Sequence, residues 1–512
     1  MAGSADGRLT TRGLGSDALG KILILSLLAG MTLARTLLAA AIPLTDDEAY
    51  YRLWGLAPAL SYLDHSPMVG WMIAAGRAVA GETALGVRAM AVLASVIGAL
   101  ALWRTARLLF GVEAGRVAVL FATVMPLLCV GAIVITPDTP SVLFYILSAW
   151  ALAELRASEN GNWWLAVGLF AGLGLLSKYT NLFLGVSLLA WLVATPANRR
   201  WWRHWQLYAG GLIAVIVFLP VPIWNLAHDG ASFTKQFGRV VDIGGPKLSW
   251  QFELWGALIL LAGPVIVWLA ASGLVLSAGR LAKQRDDAAL LLLCMPAPLL
   301  LYFFAHAFHG RVNANWLAPV YPFLAIAAAV GLGRLSDARQ RSRTALVAAS
   351  VSGAIAALVY AHALHPLYLD GNRKEPTQQL RGWPDLAQRV AETARASGAR
   401  WIATTSYATT GQLAFQLDGA IPVVQLDERL RYVHLRQPDP ATLEAPALYV
   451  ELERRARPDL LRERFRTVTD LGVLERGERG HVLARYRVHL VDGGIRPVLG
   501  PAGRAPGSPT RP

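Results

Sequence analysis

Eleven apolar stretches set the terms on which this chain can fold. They lie near 20–43, 87–109, 116–135, 139–155, 163–177, 180–195, 206–226, 252–277, 288–305, 314–333 and 344–362. A helix needs about 20 such residues to cross the hydrocarbon core of a bilayer, and two or three of the runs are short of that. Backbone in lipid must hydrogen-bond to itself, so the pattern predicts an all-α polytopic membrane bundle of about eleven transmembrane helices. Composition agrees: 54% of the 512 residues are hydrophobic and 16% charged, against about 25% charged in an average soluble domain. An ordinary water-soluble enzyme and a disordered chain are both excluded. The first run is too long for a cleaved signal peptide, and Leu44-Thr45-Asp46 lacks the small-residue cleavage pattern.

The 48 Lys and Arg against 34 Asp and Glu give a net charge of +14. In a soluble protein this would suggest nucleic acid; here loop anchoring explains most of it, and no nucleic-acid partner is expected. With residues 1–19 (Arg8, Arg12) in the cytoplasm, Arg104, Arg107 and Arg116, then Arg156, Arg199 to Arg203, Arg280 to Arg285 and Arg334 to Arg343 all fall on that side, as basic residues in short loops should. Loop 44–86, the turn at 136–138, loop 227–250 and everything after about 363 fall on the other. Residues 363–499 alternate helix (384–396, 458–465) with short strands (401–405, 421–426, 447–452), which predicts a small extracytoplasmic α/β domain. Residues 500–512 are Pro/Gly/Arg-rich and are expected to be disordered. Cys129 and Cys294 both sit in apolar runs, so neither a disulfide framework nor a cysteine metal site is expected.

Ionisable groups at membrane depth are costly and therefore informative. Asp46, Asp47 and Glu48 end the first run, followed by Tyr50, Tyr51 and Trp54, then Asp64-His65. The bland reading is an interfacial loop with an aromatic belt, but here aromatics and acids interleave. Asp138 occupies the turn Thr136-Pro137-Asp138-Thr139-Pro140, where a helix cap and a cavity-facing role are compatible. Lys178 breaks the charge pattern and suits a phosphate, or else snorkels. His306, His309, Arg311, Asn313, Asn315 and Trp316 share another outer turn. The two histidines lack a third metal ligand, and Arg311 fits an anion better. Trp224, His228, Lys235 and Arg239 read as a solvated loop. Carboxylates near cations on one face of a bundle suit a reaction in which a base orients a nucleophile and cations neutralise a leaving phosphate. Neither a Walker loop nor a dinucleotide fingerprint occurs.

Five motifs occur in order over residues 20–362: Asp47-Glu48-Ala49-Tyr50-Tyr51, Leu63-Asp64-His65-Ser66-Pro67-Met68, Thr136-Pro137-Asp138-Thr139-Pro140, Ser177-Lys178-Tyr179 and Asn313-Ala314-Asn315-Trp316-Leu317-Ala318-Pro319. Together they resemble the GT-C glycosyltransferases related to the protein O-mannosyltransferases, and among them the bacterial lipid A aminoarabinose and lipopolysaccharide galacturonosyl transferases. The resemblance implies a multi-pass inner-membrane enzyme with a periplasmic C-terminal domain. Such an enzyme moves a hexosyl or pentosyl group, with inversion, from a polyprenyl-phosphate donor to lipid A, lipopolysaccharide core or another envelope glycolipid. It implies Asp47 as the catalytic carboxylate, with Asp138 and Glu48 beside it. Lys178, Arg311 and His65 would hold the donor phosphate, and Asp46, Tyr50, Tyr51, Asp64, Asn315 and Trp316 would line the pocket. Where this chain has Asp64-His65, the aminoarabinose transferase has an acid followed by Lys at a metal and donor-phosphate site. A neutral His is a weaker counter-charge, which leaves a divalent metal on Asp64 and His65 as an alternative. A transporter or lipid flippase and a protein O-glycosyltransferase are the competing readings. The first predicts charges near mid-bilayer and often an internal repeat; this sequence puts its charges at span ends and shows no repeat.

Overall fold

The computed structural model describes residues 8–241, 245–367, 375–495 and 497–500, without the side chains of 8–19 and 239–241. Residues 1–7 of the expected cytoplasmic segment and 501–512 of the expected tail lie outside the described residues.

The membrane part begins with eight helices: α1 (Arg8–Ala41), α2 (Asp46–Leu56), α3 (Met68–Ala80), α4 (Ala84–Phe110), α5 (Val112–Val124), α6 (Pro126–Gly131), α7 (Asp138–Ser158) and α8 (Trp163–Leu175). Local chemistry sets their ends. The Thr83 hydroxyl accepts from the Gly86 amide at 2.9 Å and starts α4, and Gly111, at φ +92°, stops it, a backbone state with no steric cost only for glycine. The chain is a multi-pass membrane protein. Among the described residues six helices are long and apolar enough to cross a bilayer: Gly20–Ala41, Ala84–Phe110, Pro264–Gln284, Asp287–His306, Ala314–Gly333 and Ala338–Leu364. Two further pairs, Tyr179–Ala194 with Pro196–Arg203 and Trp205–Phe218 with Pro220–Ala227, bend by 107° and 41° and would make eight. By length and composition these account for six to eight of the about eleven expected spans, and several of the expected runs are interrupted. Run 116–135 breaks at Met125-Pro126 into α5 and α6, and run 252–277 breaks at Gly263, φ +93°. A proline removes the amide that the helix needs and clashes with the preceding turn. Such interruptions are tolerated at membrane depth where they line a cavity, and the 126–139 segment does so.

After the last long helix, which ends at Leu364, the chain forms a five-stranded sheet in the order β2-β1-β3-β5-β4. The strands are β1 (Trp401–Thr404), β2 (Val423–Gln425), β3 (Ala447–Leu452), β4 (Phe465–Glu478) and β5 (His481–Gly494). β1 pairs in parallel with β2 and β3, in register Ile402 to Val423 and Ala403 to Tyr449; β5 runs antiparallel to β3 and β4. Helices Trp383–Ser397 and Tyr407–Gln416 cover one face through Leu386, Val390 and Leu413, and helix Pro458–Arg464 supplies Leu461 to the other. This domain sits directly on α2. A Cβ added to Gly411 in helix Tyr407–Gln416 would meet the Tyr50 amide nitrogen at 2.7 Å and the Ala49 carbonyl carbon at 2.8 Å. Only a glycine allows the two backbones to approach so closely.

Candidate active site

The site is assembled on the first turn of α2. The Thr45 hydroxyl accepts from the Glu48 amide at 3.1 Å, and the Glu48 carboxylate accepts from the Thr45 amide at 3.0 Å. This reciprocal capping box fixes where the helix begins. Three acids in the first turn also suit the positive end of the helix dipole. Consecutive residues point about 100° apart on a helix, so the three acids meet three different environments.

Glu48 points inward. It and Arg88 of α4 are both 0% exposed and form a two-point ion pair at 2.7 and 2.6 Å. Glu48 also accepts from the Ile135 amide at 3.0 Å, while Arg88 donates to the carbonyls of Ala39, Ile42 and Pro43. Every oxygen is occupied by groups that tie the end of α1 to α2, α4 and the 132–137 segment. Glu48 is thus a structural anchor rather than the catalytic partner expected of it. Asp46 turns toward the C-terminal domain and accepts from Gln412 Nε2 at 3.0 Å; burial raises its carboxyl above the usual range, and Gln412 opposes this. Asp47 opens onto a cavity. Its side chain stays exposed at that opening; reduced hydration raises its carboxyl, against the opposing hydrogen bond that the Tyr407 hydroxyl donates at 3.2 Å.

That cavity, of about 340 Å³, is lined at its mouth by Thr45, Asp47, Thr136, Asp138, Asn315 and Gln379. The rest of the wall is mainly apolar, from Ala91 to Leu102 on α4, interrupted by Ser95, with Leu127, Leu143 and Ile146 also lining it. At 1.5 Å per residue the α4 wall alone runs about 16 Å. Asp138 opens α7. Its carboxylate takes Lys178 Nζ on one oxygen and Asn315 Nδ2 on the other, each at 2.6 Å. Asp47, Asp138 and Asn315 thus share one wall, and Lys178 is bound to Asp138. One cation faces the apolar depth: Arg35 of α1 is 4% exposed and lines the cavity. It donates to Ser95 at 3.2 Å and to the Thr123 carbonyl at 3.5 Å, with its Nε unpartnered. Among the described residues no carboxylate pairs with it.

Asp64 is treated differently. Lys235 Nζ lies 2.6 Å from one oxygen; Arg431 and the Tyr50 hydroxyl, the latter at 2.7 Å, bond the other. Burial alone would raise this carboxyl, but Arg431 and Lys235 hold it below the ordinary range. A divalent cation on Asp64 and His65 does not fit this donor set, because it would have to displace two cations already seated. His65 lies against the rings of Tyr51 and Trp54, at 6.2 and 6.4 Å between centroids, away from the cavity wall. Tyr50 and Tyr51 belong to a buried aromatic cluster with Trp54 and Tyr62. Trp316 packs on Phe303, 5.7 Å between centroids, and supports the wall instead of lining it. Arg311 is exposed and pairs with Glu253 at 2.8 Å; it does not reach the cavity.

Four residues at the site escape sequence reading. Tyr407 and Arg431 come from the C-terminal domain, hundreds of positions away, with no local pattern to mark them. Arg431 also lies over the rings of Tyr50 and Tyr407, 5.8 and 5.3 Å from their centroids. Arg35 and Arg88 did carry a signal: each is a cation with apolar sequence on both sides, well away from the basic end of its run.

The architecture matches solved structures end to end. ArnT from Cupriavidus metallidurans in the apo state superposes with a TM-score of 0.63 at 14% identity, covering 94% of this chain and 99% of that one. The same protein bound to undecaprenyl phosphate gives 0.62 at 16% identity, covering 93% and 99%. This chain has the GT-C glycosyltransferase fold. The family model for dolichyl-phosphate-mannose-protein mannosyltransferase matches residues 64–224 of this GT-C chain. Lipid A galacturonosyltransferase RgtD of Rhizobium johnstonii is 26% identical over 280 residues, 54% of this chain and 58% of that protein. An undecaprenyl phosphate-alpha-4-amino-4-deoxy-L-arabinose arabinosyl transferase of Pseudomonas aeruginosa is 31% identical over 259 residues, 47% of this chain and 45% of its own length. The chain therefore spans about half the length of the curated relatives it matches.

Proposed function

We propose that this protein is a membrane glycosyltransferase that moves a sugar from a polyprenyl-phosphate donor to an envelope glycolipid, with lipid A the leading acceptor, on the periplasmic face of the inner membrane. One observation carries the reading: Asp47 and Asp138 stand at the mouth of a cavity with a mainly apolar wall in which, among the described residues, Arg35 is the buried cation. A prenyl chain fits the apolar wall. Lys178, bound to Asp138 at the mouth, takes its phosphate in place of Arg311, with Arg35 as the further cation on the wall. The acceptor hydroxyl attacks the anomeric carbon and its proton passes to Asp47. The bond from that carbon to the phosphate oxygen breaks, and polyprenyl phosphate leaves with the electron pair. Asp47, open to the cavity with one hydrogen bond from Tyr407, is placed to accept that proton, and Asp138, held by Lys178 and Asn315, fixes the sugar.

The test is transfer by the purified full chain from synthetic monosaccharide phosphoprenols to a glycolipid acceptor, read by mass spectrometry. Positioned proton transfer contributes about 10²- to 10⁴-fold, so Asp47→Asn should lose that much while keeping its melting temperature. Near-normal transfer by Asp47→Asn would remove its catalytic role. A wild-type chain that moves the donor lipid across vesicles but transfers no sugar would favour the transporter reading.

A further inference from the structure

A second cavity, of about 720 Å³, lies between the C-terminal sheet and the head of α2. Arg454, Arg455, Arg476 and Arg485 line it, facing Asp46, Glu375 and Glu453. The three carboxylates are engaged elsewhere. Asp46 accepts from Gln412, Glu375 from His362 at 3.1 Å and from Thr377, and Glu453 from Arg487 at 3.0 Å. Two of the arginines, Arg476 and Arg485, are less fully matched, although Arg476 also lies over the Trp383 ring, 4.6 Å from its centroid. Arg476 is 6% exposed and donates to the carbonyls of Gln378 and Arg381 at 2.8 and 2.5 Å. Its Nε has no partner, nor does the nearby Gln378 Nε2. Among the described residues no carboxylate pairs with Arg476, and Arg485 has only an exposed pair with Glu475, a kind worth little. Buried donors without acceptors are costly, and a bound anion would satisfy them.

The two cavities adjoin. Gln379 lines both, and Asp46 of the second and Asp47 of the first are successive residues. We propose that the arginine-lined cavity seats the phosphorylated saccharide headgroup of the acceptor glycolipid and presents its reacting hydroxyl to Asp47 past Asp46 and Gln379. The proposal rests on the transferase reading above and assigns the acceptor half of that site. Guanidinium forks match phosphate oxygens two at a time. The volume far exceeds that of one phosphate and suits a saccharide bearing it. Two cavities meeting at Gln379, with Asp47 on one side and Asp46 on the other, also meet a basic need of transfer, since donor and acceptor must be bound together with the nucleophile held near the reacting carbon.

The experiment has two arms, both on the purified full-length protein. In the first, a bisphosphorylated glucosamine disaccharide without acyl chains is titrated calorimetrically against its dephosphorylated form and inorganic phosphate. The phosphorylated disaccharide should bind and the dephosphorylated one should bind at least about tenfold more weakly, with R455E/R485E abolishing the difference; both side chains are exposed, so folding is retained. In the second, R455E/R485E should raise KM for a phosphorylated glycolipid acceptor about tenfold and that for its dephosphorylated analogue less than about twofold, with KM for the donor unmoved. Equal binding of the two disaccharides by the wild type, displacement by inorganic phosphate at equal concentration, or equal KM changes for both acceptors would overturn the assignment. Sugar transfer without preference for the phosphorylated acceptor would sink this cavity and leave the transferase reading standing. Selective headgroup binding by a chain that transfers no sugar would do the reverse.

Discussion

The Asp47 end of α2 and the Asp64 turn belong to one stretch between the first long helix and α3, and the same C-terminal domain roofs both. Their carboxylates are nevertheless handled in opposite ways. Asp64 is enclosed by Lys235, Arg431 and Tyr50, each within bonding distance, and its proton affinity is driven down. Asp47 keeps one hydrogen bond, from Tyr407, faces a cavity, and has its proton affinity driven up. A carboxylate saturated with cations can neither take a proton nor meet a substrate, and it holds the structure together. One left with an open side can do both. Glu48 repeats the saturated pattern one residue away.

The contrast can be broken experimentally, and the largest effect is expected at Glu48. Glu48→Gln strands Arg88 in the interior, and breaking such a buried pair costs about 3–5 kcal/mol. Thermal unfolding should show this as a large drop in Tm, partly recovered in Glu48→Gln/Arg88→Met. A variant that melts normally but transfers no sugar would return Glu48 to the catalytic set. Asp64→Asn should come next, with a loss of about 2 kcal/mol as two cations lose their partner. Its sign with pH is fixed. A carboxyl held below its unfolded value near 3.9 adds stability at neutral pH that fades as pH falls through the folded value. Acid denaturation of Asp64→Asn should therefore be flatter below about pH 4 than that of the wild type, and parallel curves would refute the saturated description. Tyr407→Phe should act more gently. Loss of its hydrogen bond destabilises ionised Asp47 and raises that carboxyl further, so the acid limb of kcat/KM should move to higher pH, with a loss within about tenfold at neutral pH. An unmoved acid limb would show that the bond does not act on the working base. Arg311→Ala should be smallest, changing transfer by less than about twofold, because exposed ion pairs contribute little.

The membrane part was legible because apolar runs are local, and Asp47 and Asp138 stood out because each follows such a run. The number of spans was not, since it depends on whether Met125-Pro126 and Gly263 interrupt a helix or end it, which tertiary packing decides. β4 and β5 were invisible to pattern reading. β4 is buried at only two of its 14 positions and carries charge along its length, so no alternation marks it, and its turn uses Arg479-Gly480, both with positive φ, instead of an Asn-Gly signal. Glu48 could be separated from Asp47 only through Arg88, 40 residues on. The bond from Tyr407 to Asp47 spans 360 positions, a distance at which no motif speaks.

The first turn of α2 works as a rotary index: three adjacent acids are sorted by angle alone into an interior anchor, a cavity-facing acid and one that lines the arginine cavity. A one-residue deletion after Thr45 would leave two acids in the sequence and turn each by about 100°. The shortened chain would still align well with its parent, yet each remaining carboxylate would face another's surroundings. Gap placement at this turn is therefore a sharper mark of lost chemistry than any count of retained acidic residues.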